Sequence, residues 1–306
     1  MISLSELILS PYLILVLLTL YGPYLYAIVF FRPSPPMLPH TSRILLLIAH
    51  PDDESMFFAP TVLALTQKYL GNHLKILCFS NGNSEGLGPV RKRELHLAAG
   101  MLGVQQAEDV LILEDSRFQD GMMNEWDTDA IAQTLEKLLV PIVKKGQSSV
   151  DRRTVGDQAV KSHIDILITF DADGVSSHPN HKALYQGARN FVKKLKERYP
   201  GHHQPVKLLT LSSTNMLRKY LGVVDVLPTV ASAAYTSLVE AIGHRFNARR
   251  SRDRGARPMI IVSNFSEYRK AQRAMQDAHV SQMRWFRWGW IGMSRYMMIN
   301  DLAWER

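Results

Sequence analysis

Two stretches of the sequence gather imidazole and carboxylate groups directly after short apolar runs. The first is AHPDDE at residues 49–54, and the second is DADGVSSHPNH at residues 171–181. Two neutral imidazoles and one carboxylate suit zinc and leave a fourth position for water. A further carboxylate could act as general base on that water, and a further histidine could donate to developing negative charge. Together the two stretches hold the groups that metal-assisted hydrolysis of an amide or ester needs.

The apolar runs before these stretches are predicted strands of an α/β domain. Strands are predicted at 43–50, 73–80, 109–115, 165–171 and 206–211, and helices at 55–70, 90–102, 124–143 and 180–198. Near-continuous apolar strands separated by helices predict a parallel, Rossmann-like sheet with helices on both faces. Ligands bind at the carboxyl ends of such strands. One crevice would therefore collect six side chains, namely His50, Asp52, Asp53, Glu54, His178 and His181.

Each stretch also has an ordinary structural explanation. The dipole at a helix N-terminus favours an acidic run such as residues 52–54, and HPNH at residues 178–181 is typical of a turn that leads into a helix. Either explanation would be sufficient for one stretch alone. Because both stretches follow strands of one predicted sheet, a shared site is the better interpretation. No GxGxxG follows the first strand, so nothing in the sequence supports dinucleotide binding.

The N-terminal residues predict a membrane anchor. Residues 7–31 form a run of 25 residues without a charge, whereas about 20 apolar residues span a bilayer as a helix. A secretory signal would be shorter and would begin with a basic region, but only Glu6 precedes this run. Basic residues follow the run and none precedes it, which places the rest of the chain in the cytoplasm. We expect one transmembrane helix and a Pro-rich linker in residues 1–40, and one α/β domain in residues 41–306.

Composition excludes several classes of protein. With 46% hydrophobic and 21% charged residues among 306, the chain is neither disordered throughout nor collagen-like. A single cysteine, Cys78, excludes an internal disulfide framework and a Cys-rich zinc module. The net charge of +8 favours acidic partners such as phospholipid head groups or nucleic acid. The predicted membrane span argues against nucleic acid.

The paired motifs resemble those of the PIG-L/LmbE family of zinc-dependent de-N-acetylases. The likeness extends to SNGN at residues 80–83, GLG at 86–88 and the helix with Arg91 and Glu94, and it covers about residues 42–302. The C-terminal stretch from Met275 to Tyr296 is similar to the eukaryotic branch of the family. The resemblance implies hydrolysis of an N-acetyl amide with Zn²⁺ as the cofactor. The sequence does not distinguish zinc from another divalent ion.

The family pattern also implies roles for individual residues. It implies that His50, Asp53 and His181 bind the zinc, with Asp52 as general base for the attacking water. It implies that His178 stabilises the tetrahedral oxyanion. Whether His178 or Asp52 protonates the leaving amine stays open.

Other residues receive weaker assignments. Glu54 is expected to support the ligands or cap a helix, and Asp171 and Asp173 either orient a ligand histidine or form a turn. Candidate substrate contacts are Arg91, Glu94 and His279, although the first two could equally be a pair on a helix surface. The aromatic residues between 285 and 304 either pack against the core or form a surface that settles on a bilayer.

The resemblance finally implies a substrate and a location. The substrate would be N-acetylglucosaminyl-phosphatidylinositol, in glycosylphosphatidylinositol-anchor synthesis, and the enzyme would be a single-pass protein of the endoplasmic reticulum membrane with a cytoplasmic catalytic domain. An anionic substrate held in a membrane agrees with the +8 charge and the predicted anchor. The alternatives are a tethered deacetylase of another N-acetylglucosamine conjugate and a non-catalytic membrane scaffold. Protein partners are not predicted.

Overall fold

A computed structural model describes residues 38–140, 163–198, 206–226 and 259–305, with isolated positions 11, 12, 15, 228, 229 and 235. Its centre is a seven-stranded sheet of order β3-β2-β1-β4-β5-β7-β6. The strands are β1 (Arg43–Ile48), β2 (His73–Cys78), β3 (Val110–Ile112), β4 (Ile166–Phe170), β5 (Lys207–Leu211), β6 (Met259–Val262) and β7 (Ile299–Trp304).

The strand order reverses at β1. This strand pairs in parallel with β2 on one side, from Arg43 opposite His73 to Ile48 opposite Cys78, and with β4 on the other side. Strand β3 pairs in parallel with β2, and strand β5 pairs in parallel with β4. The five predicted strands are thus confirmed, and the gap between the carboxyl ends of β1 and β4 is the switch point where such sheets bind ligands.

The sheet is mixed, so the prediction of a parallel sheet holds for five strands and is wrong at one edge. The strand β7 lies antiparallel to both β5 and β6. It escaped prediction because Asn300 and Asp301 interrupt its apolar pattern. Asn300 is nevertheless buried, because its Oδ1 accepts hydrogen bonds from the backbone N–H and the hydroxyl of Thr61.

Helices cover both faces of the sheet, as predicted. They are α1 (Asp53–Met56), α2 (Ala59–Leu65), α3 (Gly88–Met101), α4 (Thr128–Leu139), α5 (Pro179–Arg198), α6 (Met216–Lys219), α7 (Phe265–Arg273), which continues as a π-helix (Ala274–Ala278), and α8 (Trp285–Met293). Side chains of β1 alternate between two cores. Ile44 and Leu46 pack on the side of α2 and α3, whereas Leu45 and Leu47 pack on the side of α4 and α5.

Shorter helical turns occupy several connections. They are the 3-10 helices Lys68–Leu70, Asn83–Glu85, Ala107–Asp109, Gly222–Asp225, Val280–Gln282 and Arg295–Met297, and the turn Gly174–Ser177.

Two predicted helices differ from those observed for local reasons. The helix predicted at 55–70 is divided, because Pro60 lacks a backbone N–H and sits in the first turn of α2, where it begins a new helix. The helix predicted at 124–143 begins only at Thr128, where the Asp127 side chain caps it by accepting from the Asp129 N–H. Pro60 in the first turn of α2 and the Asp127 cap of α4 therefore determine where these two helices begin.

Among the described residues, no helix is long and apolar enough to cross a membrane. The span predicted at residues 7–31 lies outside the described residues except for Pro11, Tyr12 and Leu15. The same is true of residues 146–162 in the polar insertion and of the arginine-rich stretch at 245–257. The anchor and the division at residue 40 therefore stay predictions.

Candidate active site

Acidic side chains of the loop after β1 accept hydrogen bonds from backbone N–H groups of the same loop. Asp53 Oδ2 accepts hydrogen bonds from the backbone N–H groups of Ala49 and His50, each at 2.9 Å. Asp52 has a φ of 127°, a conformation that L-residues rarely adopt. Its N–H donates to Glu54 Oε2 at 3.2 Å, which helps to hold this conformation. Strain of this kind costs about 1–3 kcal/mol and is concentrated at functional sites.

Three predicted metal ligands meet at the switch point. His50, Asp53 and His181 are buried, and their ligand atoms lie within 4.8 Å of one another. His181 Nε2 is 3.3 Å from Asp53 Oδ1, and His50 Nδ1 is 4.0 Å from Asp53 Oδ2. Burial would raise the pKa of Asp53, but the His181 and His50 rings outweigh it and lower the pKa. The carboxylate is therefore available as an anionic ligand.

The orientation of His181 shows that these residues fit a metal ion. Its Nδ1 lies 3.0 Å from the carbonyl oxygen of Gly174 and must carry a proton to donate there. In the neutral imidazole that metal binding requires, the buried Nε2 is then a lone pair, and Nε2 makes no hydrogen bond to the described residues. The imidazole stacks on Phe170 with 3.9 Å between ring centroids, which fixes its plane. A lone pair facing the Asp53 carboxylate is stable when a cation lies between them.

Asp120 orients His50, although it was not among the residues predicted from the sequence. Its Oδ1 is 3.0 Å from His50 Nε2, so donation of the Nε2 proton leaves Nδ1 free to face the metal position. Burial lowers the pKa of His50, but the carboxylates of Asp120, Asp53 and Asp52 together outweigh burial, and the net pKa is raised. Burial opposes ionisation of Asp120, yet His50 and Arg91 lower its pKa to about 2. Asp120 follows β3 in a loop without a motif, so no sequence signal pointed to it.

His178 is a neutral hydrogen-bond donor beside the metal cluster. Its Nδ1 accepts from the Asn180 backbone N–H at 3.2 Å, which leaves the proton on Nε2. Burial and the neighbouring His50 and His181 rings lower the pKa of His178 to about 4. A second group of potential ligands, His50, Asp120 and His178, also lies within 4.8 Å. It is less buried than the first group, and its Asp120 is already engaged by Arg91.

Two arginines face Asp52, the predicted general base. Arg287, from α8, contacts Asp52 Oδ2, and Arg91 Nη2, from α3, lies 3.5 Å from the same oxygen. Arg91 also donates to the carbonyl oxygens of Pro51 and Gly82, at 2.7 and 2.9 Å, so it joins two loops of the site. Arg287 belongs to the C-terminal stretch that carried the family resemblance, but it was not among the predicted site residues.

Two side chains that were predicted to contact substrate bind other groups of the protein. Glu94 accepts from the Ser281 N–H at 2.8 Å and from the Ser281 hydroxyl at 2.7 Å. His279 is fully buried, and its Nε2 lies 2.6 Å from Glu54 Oε1. Burial would lower the pKa of His279, but the carboxylates of Glu54, Asp52 and Glu94 together outweigh burial and raise the pKa. Both side chains therefore position other parts of the site, and neither is among the residues that line the cavity.

Asp171 supports His181 through the loop between them. It accepts from the Gly174 N–H at 3.0 Å and from the Ser213 hydroxyl at 2.6 Å. These bonds fix the segment whose Gly174 carbonyl orients His181. The exposed Asp173 contributes its backbone N–H to Asp171, at 3.1 Å.

A cavity of about 340 Å³ opens in front of these groups. Its wall combines the ligand set with residues from three loops and α8, including His50, Asp52, Asp53, Arg91, Asp120, His178, His181, Gln282, Phe286 and Arg287. A neighbouring polar cavity of about 420 Å³ shares Ser84 and Asp120 with it. These volumes are in the usual range for small-molecule sites.

Known proteins resemble this chain over most of its length. The N-acetylglucosaminyl-phosphatidylinositol de-N-acetylase of Arthroderma benhamiae is 41% identical, over 86% of this chain and 87% of that protein. The enzyme of the same name from Bos taurus is 37% identical, over 89% of this chain and 87% of that protein. Among solved structures, N,N'-diacetylchitobiose deacetylase from Pyrococcus horikoshii is 16% identical over 64% of this chain and 69% of that one. Its TM-score of 0.42 is too low to support an argument about function.

The α/β sheet and the site at its switch point define a hydrolase with a cluster able to hold a metal ion. The family described as PIG-L, GlcNAc-PI de-N-acetylase, matches residues 45–192, which include both motif stretches. With this match and the identities above, the chain belongs to the PIG-L family and is an amidohydrolase of the de-N-acetylase type.

Proposed function

We propose that this chain hydrolyses the N-acetyl amide of N-acetylglucosaminyl-phosphatidylinositol, releasing acetate and leaving a free amine on the sugar. His50, Asp53 and His181 would bind Zn²⁺ for this reaction. The observation that carries the proposal is the buried cluster of these three residues, in which His181 Nε2 has no hydrogen-bond partner within the described chain. The names of the relatives support the choice of substrate.

The chain's own residues account for the other steps of amide hydrolysis. A divalent metal ion, when bound, supplies Lewis acidity and lowers the pKa of water. Asp52, on the cavity wall, takes the proton from the attacking water. His178 donates its Nε2 proton in a hydrogen bond to the carbonyl oxygen as negative charge develops there. Arg287 and Arg91 hold the Asp52 carboxylate in place.

The leaving nitrogen needs a proton, and two groups are placed to supply it. Asp52 gains a proton when the water attacks and can pass that proton on. His178 lines the same cavity, but it can supply this proton only after gaining a second one, because loss of the single Nε2 proton from a neutral imidazole would leave an imidazolate. The two routes differ in whether the proton on the amine originates from water or from the imidazole.

We further propose that the enzyme works at a membrane. Residues 7–31 would anchor it in the endoplasmic reticulum, and the domain at 41–306 would face the cytoplasm. The uncharged run and the basic residues after it support this arrangement. The net charge of +8 suits an anionic lipid substrate, and nucleic acid is not an expected partner.

Release of labelled acetate tests the proposal. Membranes carrying the full chain should release acetate from N-acetylglucosaminyl-phosphatidylinositol labelled in its acetyl group, and membranes carrying the Asp52→Asn chain should not. A parallel assay should use water-soluble N-acetylglucosamine conjugates. Activity on those conjugates without activity on the lipid would overturn the proposed substrate and favour the alternative deacetylase.

A further inference from the structure

An exposed apolar surface borders the cavity. On α8, Trp285, Phe286 and Trp288 are 86%, 55% and 54% exposed. We call these three residues, together with the exposed Met216, Leu217, Tyr220, Val224 and Met293, the rim patch. Trp290 and Tyr296, by contrast, are buried in the core. Some of the aromatic residues between 285 and 304 therefore pack against the core, and others are exposed at the surface.

The two segments of the rim patch are neighbours in the fold. The Tyr220 ring meets the Trp290 ring edge-on, with 5.8 Å between centroids. A Cβ placed on Gly222 would lie 3.4 Å from the carbonyl oxygen of Met293. The segment that begins with α6 therefore packs beside α8, and their exposed apolar side chains belong to one region of the surface.

This region lies at the mouth of the cavity. Phe286 belongs to the rim patch and also lines the cavity. Its neighbour Arg287 lines the cavity and contacts Asp52. A partner that covers the rim patch would therefore stand at the entrance to the active site.

Residue type indicates a lipid surface as that partner. Arg284, next to Trp285, is exposed and pairs with Glu85. The other arginines of the two segments are engaged inside the protein, because Arg295 is buried and Arg218 and Arg287 pair with Asp225 and Asp52. Tryptophan and tyrosine prefer the interface between water and lipid. Exposed aromatic residues with nearby cations are typical of helices that lie in the plane of an anionic membrane.

We propose that the rim patch docks on the bilayer, with Trp285, Phe286 and Trp288 among the lipid head groups and the cavity mouth against the membrane. This inference rests on the proposed lipid substrate, whose sugar must reach the active site from the bilayer surface. A flexible tether confines an enzyme to a membrane but does not orient it. Docking of the rim patch would supply the orientation.

A spin label can measure the depth of the rim patch directly. Cys78 is fully buried and burial raises the pKa of its thiol, so a thiol reagent will label an introduced cysteine selectively. The full chain should carry Trp285→Cys or, as a control, Tyr69→Cys. Tyr69 is 65% exposed and precedes β2, at the amino end of the parallel strands and away from the cavity. Both chains are reconstituted into vesicles of phosphatidylcholine and phosphatidylinositol.

The two labels should respond differently to relaxing agents. At position 285, oxygen from the bilayer should relax the label more strongly than an aqueous nickel complex does, and at position 69 the order should reverse. Equal access of the nickel complex at both positions would overturn the proposal. So would a label at 285 that neither agent reaches, because a protein surface would then cover the patch. This readout needs no catalysis, so it stands if the proposed substrate fails.

Kinetics on vesicles provide a second test. Trp285→Ser with Trp288→Ser should raise KM for the vesicle-borne lipid about tenfold through lost interfacial binding, with kcat unchanged. Tyr69→Ser should change neither constant. An unchanged KM, or a fall in kcat alone, would contradict docking by the rim patch.

Discussion

At the scale of single residues, the proposed metal ligands are positioned by the rest of the chain. Two backbone amides hold Asp53, the Gly174 carbonyl holds His181, and the Asp120 carboxylate holds His50. Such bonds set the tautomer and the orientation of a ligand histidine, and their loss typically weakens metal binding about 10–100-fold. The cluster is therefore prepared to bind a metal ion with little rearrangement.

Replacing His181 should remove the metal. His181→Ala deletes the buried Nε2 that faces Asp53, so the purified chain should contain far less zinc than the wild type, as measured by elemental analysis. His178→Ala is the matched control, because it removes a neighbouring histidine and leaves the proposed ligand set intact. Loss of zinc from His178→Ala but not from His181→Ala would show that His50, Asp120 and His178 hold the metal instead.

Replacing Asp52 should separate catalysis from metal binding. Asp52→Asn keeps the size of the side chain but removes the base, so acetate release should fall by about 10²–10⁴-fold. Zinc content should remain at the wild-type level, because Asp52 is not in the proposed ligand set. Wild-type turnover in this variant would exclude Asp52 as the general base.

His279 should act through Glu54. Both side chains are fully buried, and removal of one partner of such a pair costs about 3–5 kcal/mol. His279→Ala should therefore lower the free energy of unfolding, measured with urea, and lower kcat because Glu54 no longer holds the Asp52 backbone firmly. A raised KM with unchanged stability would instead support the direct substrate contact predicted from the sequence.

At the scale of elements, the loops at the carboxyl ends of β1 and β4 carry the site. Their residues could be predicted because each motif directly follows an apolar strand, and parallel strands bring such ends together. His50, Asp52, Asp53, His178 and His181 all line the cavity, as this reasoning requires.

Other parts of the site depend on contacts between distant elements. Asp120 lies in a loop without a motif, and Arg287 reaches Asp52 across 235 positions in the chain. The strand β7 was missed because its buried polar Asn300 is satisfied by Thr61, a contact that periodicity does not reveal. Local pattern therefore predicted several groups that line the cavity, whereas tertiary packing determines which groups orient them.

The turn after β4 should tolerate no side chain at Gly174. Its φ is +63°, and an added Cβ would lie 2.8 Å from the Cβ of His181. Gly174→Ala should lower the free energy of unfolding by about 1–3 kcal/mol and weaken zinc binding, measured by denaturation and by metal titration. Gly100→Ala is the control, because α3 has open space there and alanine favours a helix. Equal stability of the two variants would contradict the role given to this turn.

At the scale of the whole molecule, the rim patch and the active site should lie on the same side of the membrane that the anchor spans. If the domain at 41–306 is cytoplasmic, protease added to sealed endoplasmic reticulum vesicles should digest it. Asn264, which begins an Asn-Phe-Ser sequon, should then carry no glycan. Protection from protease until detergent is added, or a mobility shift after glycosidase treatment, would place the domain in the lumen.

The central claim is that a metal held by His50, Asp53 and His181 enables this chain to hydrolyse an N-acetyl amide. The most direct measurement is acetate release by the purified full chain before metal removal, after a chelator, and after zinc is returned. We predict that release falls to the level of Asp52→Asn without metal and recovers with zinc, and that His181→Ala does not recover. Undiminished release from a chain shown by elemental analysis to hold no metal would contradict the claim.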